Sequence, residues 1–251
     1  MIGAIAGDII GSRFEGHPAP PPDFELFAPG CRFTDDTVCT LAVVEAIMAD
    51  ADFAATLRAF LRRHPDRGYG GMFRDWALRD GAPAYGSWGN GVPMRVAAVG
   101  WLATGDADCD RLAAAQAVVS HDHPDAVAGA QAVARAIRAL CLGAAALELV
   151  PRLAAGFGYT LPAPIRGGFD VSAAGTVPPA LTAAFAARDW EDAVRRAVGL
   201  GGDTDTLACI AGAVAETLHG VPRPIAERAR ADLTDDLRAV LARFEARIGR
   251  E

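Results

Sequence analysis

Apolar residues in this chain recur at the spacing of a helix, and nowhere do they alternate convincingly as a strand would. Residues 2–11 carry Ile2, Ile5, Ala6, Ile9 and Ile10, and a longer stripe joins Leu207, Ile210, Ala211, Val214, Ala215 and Leu218. Positions three and four apart share one helix face, so each segment has a side to bury. The same period predicts helices from Thr34 to about Ala49, over 52–64, near Met72–Leu78, and over 94–103, 109–119, 125–148, 177–187 and 190–199. A last amphipathic helix is expected over about 224–247, with its Arg and Asp residues as a solvated face. Apolar residues make up 51% of the chain, enough for a real core. Ala, the best helix former and a poor strand former, is abundant, which predicts helices packed closely through small side chains. Three stretches break the pattern: 16–33, with five of the sixteen Pro, the Gly-rich 65–93, and the Gly, Pro and Thr-rich 156–176. Loops this long are often functional. One all-α domain over 1–251 is the simplest reading.

The net charge of −7 argues against a general grip on nucleic acid, which needs clustered Lys and Arg. No uncharged apolar run reaches about 18 residues, and no secretory leader pattern is visible, so a cytoplasmic protein without a membrane span is expected. The five Cys are scattered without a CxxC pair and read as reduced core residues. In the absence of a coiled-coil seam, a monomer is expected. His17, His64 and His219 read as surface or loop residues.

Two short segments share one design. Thr34-Asp35-Asp36-Thr37 and Gly201-Gly202-Asp203-Thr204-Asp205-Thr206 each put two carboxylates and two hydroxyls at the start of an apolar helix, and the first helix adds Asp8 and, beyond its Gly11 stop, Glu15. Capping is one explanation, because Asp and Thr accept the orphan N–H groups of a first turn. A cap needs one acceptor, however, and a second adjacent carboxylate is repelled. A divalent cation would remove that repulsion, and oxygen donors of this kind suit Mg²⁺; Zn²⁺ is not expected, on the reading that no His or Cys stands close to either segment. Two ions bridged by one carboxylate are a known hydrolytic arrangement.

Arg67-Gly68-Tyr69-Gly70-Gly71 and Ser87-Trp88-Gly89-Asn90-Gly91 are Gly-rich and precede helices. They are either ordinary turns or loops whose N–H groups approach phosphates, with Tyr69, Phe73 and Trp88 available to stack on a base or ribose. In Ser120-His121-Asp122-His123-Pro124, Ser120 or Asp122 is expected to cap the following helix with Pro124 at its first position, or else the His residues touch a phosphate or ribose.

Taken together, these residues resemble the ADP-ribosylglycohydrolase family, related to the dinitrogenase reductase-activating glycohydrolase. The resemblance rests on Ile2-Gly3-Ala4-Ile5-Ala6-Gly7-Asp8-Ile9-Ile10-Gly11-Ser12 with Glu15, Phe33-Thr34-Asp35-Asp36-Thr37, Gly68-Tyr69-Gly70-Gly71, Gly89-Asn90-Gly91 through Met94-Arg95, Ser120-His121, and Gly201-Gly202-Asp203-Thr204-Asp205-Thr206. It runs from residue 1 to about 220. It implies a compact orthogonal all-α fold around a central binuclear metal site, and a hydrolase that frees ADP-ribose from an attached protein side chain, O-acyl ester or nucleic-acid base. The cofactor implied is a pair of Mg²⁺ ions, with Mn²⁺ as a substitute. Thr34, Asp35 and Asp36 would hold one ion, and Asp203, Asp205 and Thr206 would complete the pair, with Asp205 as the bridge. Glu15, Asp35 and Asp205 would serve catalysis. Gly68, Tyr69, Gly70, Gly71, Ser87, Gly89, Asn90, Gly91, Met94 and His121 would line the ADP-ribose cleft. Val92-Pro93 departs from the small residues common there, and Pro lacks an N–H for phosphate. The alternatives are a weakly catalytic ADP-ribose-binding protein and a binuclear nucleotide phosphohydrolase.

Overall fold

The computed structural model describes residues 1–164 and 168–249. Among the described residues the regular structure is helical, with a single isolated antiparallel bridge between Gly89 and Ser172. The helices are α1 (Ile2–Gly11), α2 (Asp35–Ala49), α3 (Phe53–Arg63), α4 (Gly71–Leu78), α5 (Ala97–Leu102), α6 (Asp106–Val118), α7 (Pro124–Cys141), α8 (Ala146–Phe157), α9 (Ala173–Phe185), α10 (Trp190–Val198), α11 (Thr204–His219), α12 (Arg223–Asp232) and α13 (Asp235–Arg247). None of them is long and apolar enough to cross a membrane.

The centre of the fold is the pair α1 and α11. Every residue of α1 is buried, as is every residue of α11 from Thr204 to Glu216. A helix that is apolar on all sides belongs inside a protein. The two backbones touch because α1 presents Gly3, Gly7 and Gly11 along one face. A Cβ on Gly7 would lie 2.1 Å from the Ala208 carbonyl oxygen, one on Gly3 2.5 Å from that of Gly212, and one on Gly11 2.3 Å from that of Thr204. Backbone cannot yield as a flexible side chain can, so this seam admits only hydrogen at those positions. Around the pair lie α2, α9, α10 and α12, while α7 carries α5, α6 and α8.

Several boundaries differ from the sequence expectation. The 125–148 stripe is two helices, because Gly143 takes φ 86°, a left-handed conformation that stops α7. The second, α8, also claims residues assigned to the loop at 156–176, and it runs through Pro151. The Ala residues at 144–146 let the helical pattern read through the break. Helix α9 likewise starts at Ala173, before its two prolines, capped by Ser172. The expected 224–247 helix is α12 and α13. Leu233 leaves the helix at φ −76°, ψ 149°, and is buried, and Thr234 starts the next helix. His64 is not a surface residue. It is buried edge-on to Phe33 and its Nε2 lies 3.0 Å from Asp236 Oδ2. At α7 the cap is His123, whose Nδ1 accepts from Asp125 N, whereas Asp122 accepts from Gly86 N at 2.7 Å and Ser120 points elsewhere. Pro124 does occupy the first helical position.

Candidate functional site

The glycine seam brings Asp8, on the buried face of α1, against the start of α2. Asp8 is fully buried, and its carboxylate accepts from Thr34 N (3.0 Å), Thr34 Oγ1 (2.7 Å), Thr37 N (3.1 Å) and Thr37 Oγ1. The first turn of α2 is therefore capped from another helix, with Thr34 also accepting from Asp36 N at 3.2 Å. This leaves the carboxylate of Asp36 free of capping duty. At α11 the N-cap position belongs to Asp203, yet its side chain makes no cap bond. Instead Asp203 Oδ2 accepts from Asn90 Nδ2 at 2.6 Å. Gly201 and Gly202 carry the chain into α11 at φ 72° and 76°, and a Cβ on Gly202 would strike the Gly168 carbonyl at 2.5 Å. Capping thus accounts for Thr34 and not for Asp36 or Asp203.

Two groups of three carboxylates bring their oxygens within 4.8 Å of one another: Asp8, Asp36 and Asp205, and Glu15, Asp203 and Asp205. Asp205 belongs to both. Packed negative charge away from water favours protonation. Burial is the main cause that raises Asp8, Asp36 and Asp205. The charges of Asp8, Asp35 and Asp203 push Asp36 further, and those of Asp36 and Asp203 push Asp205. Glu15, at the solvent edge, is raised by partial burial and then by Asp203, against the pull of Arg32. Asp36 Oδ1 is buried and has no hydrogen-bond partner among the described residues. An orphaned, buried carboxylate oxygen in an acidic cluster is costly unless a cation meets it. The donors of both groups are all oxygens, so the residues fit hard divalent ions such as Mg²⁺ or Mn²⁺.

Asp35 stands apart from both groups. Its backbone N–H donates to the Arg67 carbonyl at 2.7 Å, and its carboxyl is pushed up to about 8, by burial first and then by Asp8. The hydroxyl of Thr34 is turned to Asp8, and that of Thr206 lies 3.4 Å from Asp36 Oδ2. Cysteines do stand nearby, contrary to the sequence reading. Cys39 and Cys209 follow Asp35 and Asp205 by four residues, but burial and the surrounding carboxylates raise both thiols well above their ordinary range, which keeps them from acting as thiolates.

The carboxylates open on a cavity of about 380 Å³, large enough for a small organic ligand. Of the expected cleft residues, Gly68, Gly70, Gly71, Ser87, Gly89, Asn90, Gly91, Met94 and His121 line it, as do Glu15, Asp35, Asp36, Asp203, Asp205 and Thr206. Tyr69 and Thr34 do not. Tyr69 is buried and stacks on Phe73 at 6.0 Å. Trp88 is exposed and outside the lining, whereas Phe73 is part of it. Val92 is buried and the Pro93 ring lies against Gly129, so this departure from the family pattern faces the core. Sequence reasoning missed Cys39, Met72, Tyr85, Arg95, Phe169 and Val171 as lining residues. No spacing rule pairs 169–171 with the loop at 86–91; the link is Asn90 N donating to the Val171 carbonyl at 2.8 Å. Asp8 had a visible signal, a lone acid in an otherwise apolar helix.

His121 is buried at the cavity wall between Phe73 and Tyr85. Burial, followed by the nearby Arg95 charge, pushes its imidazole down to about 3, so it is neutral at physiological pH.

The sequence profile of the ADP-ribosylglycohydrolase family matches residues 1–251. The ADP-ribosylhydrolase ARH3 of Xenopus tropicalis is 28% identical over 129 residues, which cover 39% of this chain and 37% of that protein. The ARH3 of Mus musculus is 26% identical over 156 residues, 48% of this chain and 42% of that protein. The matches thus span about two-fifths of these curated relatives. A solved structure described as an ADP-ribosylglycohydrolase-related protein complex superposes with a TM-score of 0.77 at 23% identity, covering 97% of this chain and 95% of that one, a likeness of fold.

Proposed function

Because the chain belongs to the ADP-ribosylglycohydrolase family, we propose that it hydrolyses the glycosidic bond between ADP-ribose and an attached group, with two Mg²⁺ or Mn²⁺ ions held among its carboxylates. The observation that supports this best is Asp205 shared by two acidic groups beside a ligand-sized cavity. The proposed ligands are Thr34, Asp35, Asp36, Asp203, Asp205 and Thr206, with Asp8 beside Asp36. Thr34 spends its hydroxyl hydrogen on Asp8 and keeps a lone pair for a cation. When bound, the ions would neutralise the cluster and supply orientation and Lewis acidity at the sugar.

The residues of the chain do the rest. Gly68, Gly70 and Gly71, at the start of α4, offer backbone N–H groups and a helix N-terminus to the pyrophosphate. Ser87 and His121 add side-chain contacts, and Met94 an apolar wall. Asn90 has both amide hydrogens committed, to Asp203 Oδ2 and to Thr176 Oγ1, so it can only accept from a ligand through Oδ1. In the reaction a water oxygen bonds to the anomeric carbon, the bond to the attached group breaks, and that group leaves with a proton. Positive charge grows on the ring as the bond breaks, and the carboxylates facing the cavity stabilise it. Glu15, with a raised pKa at the cavity edge, is the proposed general acid or base.

The test is product analysis on ADP-ribosylated peptides, an O-acetyl ester and ADP-ribosylated oligonucleotides, with Mg²⁺ and with EDTA. Free ADP-ribose in the first condition and none in the second is expected. Release of phosphate instead, or tight binding with no cleavage of any substrate, would overturn the reading.

A further inference from the structure

Behind His121 lies a hydrogen-bonded chain that the reaction does not call on directly. Arg95 is fully buried, and its guanidinium donates to Gln116 Oε1 (2.7 Å), the Gln116 carbonyl (2.6 Å) and Ser120 Oγ (3.2 Å). Ser120 is also fully buried, and its Oγ lies 2.8 Å from His121 Nδ1. Arg can only donate, so the bond from Arg95 occupies a lone pair of the serine oxygen. The single hydroxyl hydrogen of Ser120 then needs an acceptor, and among the described residues His121 Nδ1 is the one within reach. Nδ1 is therefore the acceptor, and the ring hydrogen sits on Nε2. That edge of the ring faces Gly91, where a Cβ would come to 3.0 Å of Nε2, and His121 lines the cavity.

We propose that Ser120, oriented by Arg95, is a positioning residue that fixes His121 as the Nε2–H tautomer and so makes it an obligate hydrogen-bond donor to a ligand oxygen in the cavity. The neutral state of the ring follows from its burial, and the direction of the bond follows from the serine. A ligand group opposite His121 must then be an acceptor, such as a phosphate or sugar oxygen. The glycines at 89 and 91 leave the ring edge uncovered. This rests on the functional reading above for the identity of the ligand, but not for the tautomer.

Long-range ¹H–¹⁵N correlation spectra of the ¹⁵N-histidine-labelled full chain give the tautomer directly, with His121 assigned by its loss in His121→Asn. The expected pattern is a protonated Nε2 and an unprotonated Nδ1 in the free protein. On addition of ADP-ribose the Nε2 proton should shift downfield. Ser120→Ala should mix the tautomers and weaken ADP-ribose binding about tenfold by calorimetry, the size of one lost hydrogen bond, with Mg²⁺ affinity unchanged as the check on folding. A protonated Nδ1 in the native protein overturns the proposal whatever Ser120→Ala does, and so does an Ser120→Ala protein with the native spectrum and affinity. If the native protein binds no ADP-ribose yet shows the Nε2–H pattern, the tautomer assignment stands and the functional reading fails.

Discussion

Asp205 is the side chain on which the proposed chemistry converges, since it alone belongs to both carboxylate groups. Asp205→Ala is expected to lose Mg²⁺ binding and turnover together; calorimetry beside an ADP-ribose release assay would check both, and normal turnover at low Mg²⁺ would refute the shared role. Glu15 should behave differently. It lies at the solvent edge of one group, so Glu15→Gln is expected to bind Mg²⁺ nearly as well but to turn over at least about 10²-fold more slowly, the scale of a lost general acid or base. Unchanged kcat would exclude that role. Much at this scale could be read from residue types: the paired Asp segments, Glu15 and the glycine loops all reach one cavity. Tyr69 could not be placed by type, because an aromatic beside a glycine loop is equally compatible with ligand or core; in the fold it is buried and off the cavity lining.

At the scale of elements, the seam between α1 and α11 sets where Asp8 and Asp205 meet. Gly7→Ala would drive a Cβ to 2.1 Å from the Ala208 carbonyl, and such overpacking is expected to cost about 3 kcal/mol. Gly105→Ala, at a position with open space around it, should stay within about 1 kcal/mol of the native protein, the usual range for a change of helix cap. Urea denaturation of the two variants gives the comparison. The period-3.6 stripes made most helices legible, the buried ones best of all. The failures share a cause. Both the α7–α8 and α12–α13 junctions lie in sequence that is helix-favouring on either side, and the breaks are made by a left-handed Gly143 and by the burial of Leu233, one a backbone state and the other a tertiary contact.

For the whole molecule, the proposed cation site predicts a stability that depends on pH and on cations together. The carboxyls of Asp8, Asp35, Asp36 and Asp205 are raised in the fold, Asp35 to about 8, so from the ordinary carboxylate range up to about pH 8 these groups together hold more protons in the folded chain than in the unfolded one. Stability contributed by these groups is then present at low pH and lost as pH rises through that window. Asp192 works in the opposite sense: its bond from Arg188 lowers it, so its contribution is lost on acidification below the ordinary carboxylate range. In EDTA, Tm is expected to fall from pH 5 to pH 8, whereas in Mg²⁺ it should hold, so the gap between the two curves widens with pH. Adding Mg²⁺ to the metal-free protein in weak buffer near pH 7 should also release protons. A gap independent of pH would show that cations do not displace protons here.

The hydrogen-only contacts at Gly3, Gly7 and Gly11 have a consequence for how such a centre can change. Where helices meet through side chains, their separation is adjustable, and a methyl gained or lost retunes whatever lies between them. Here main chain rests on main chain, so the spacing behaves as a fixed gauge with nothing left to trim. If the proposed cations sit here, any drift in their preference or grip must come through the carboxylates and their near neighbours, while the span that frames them stays as it is.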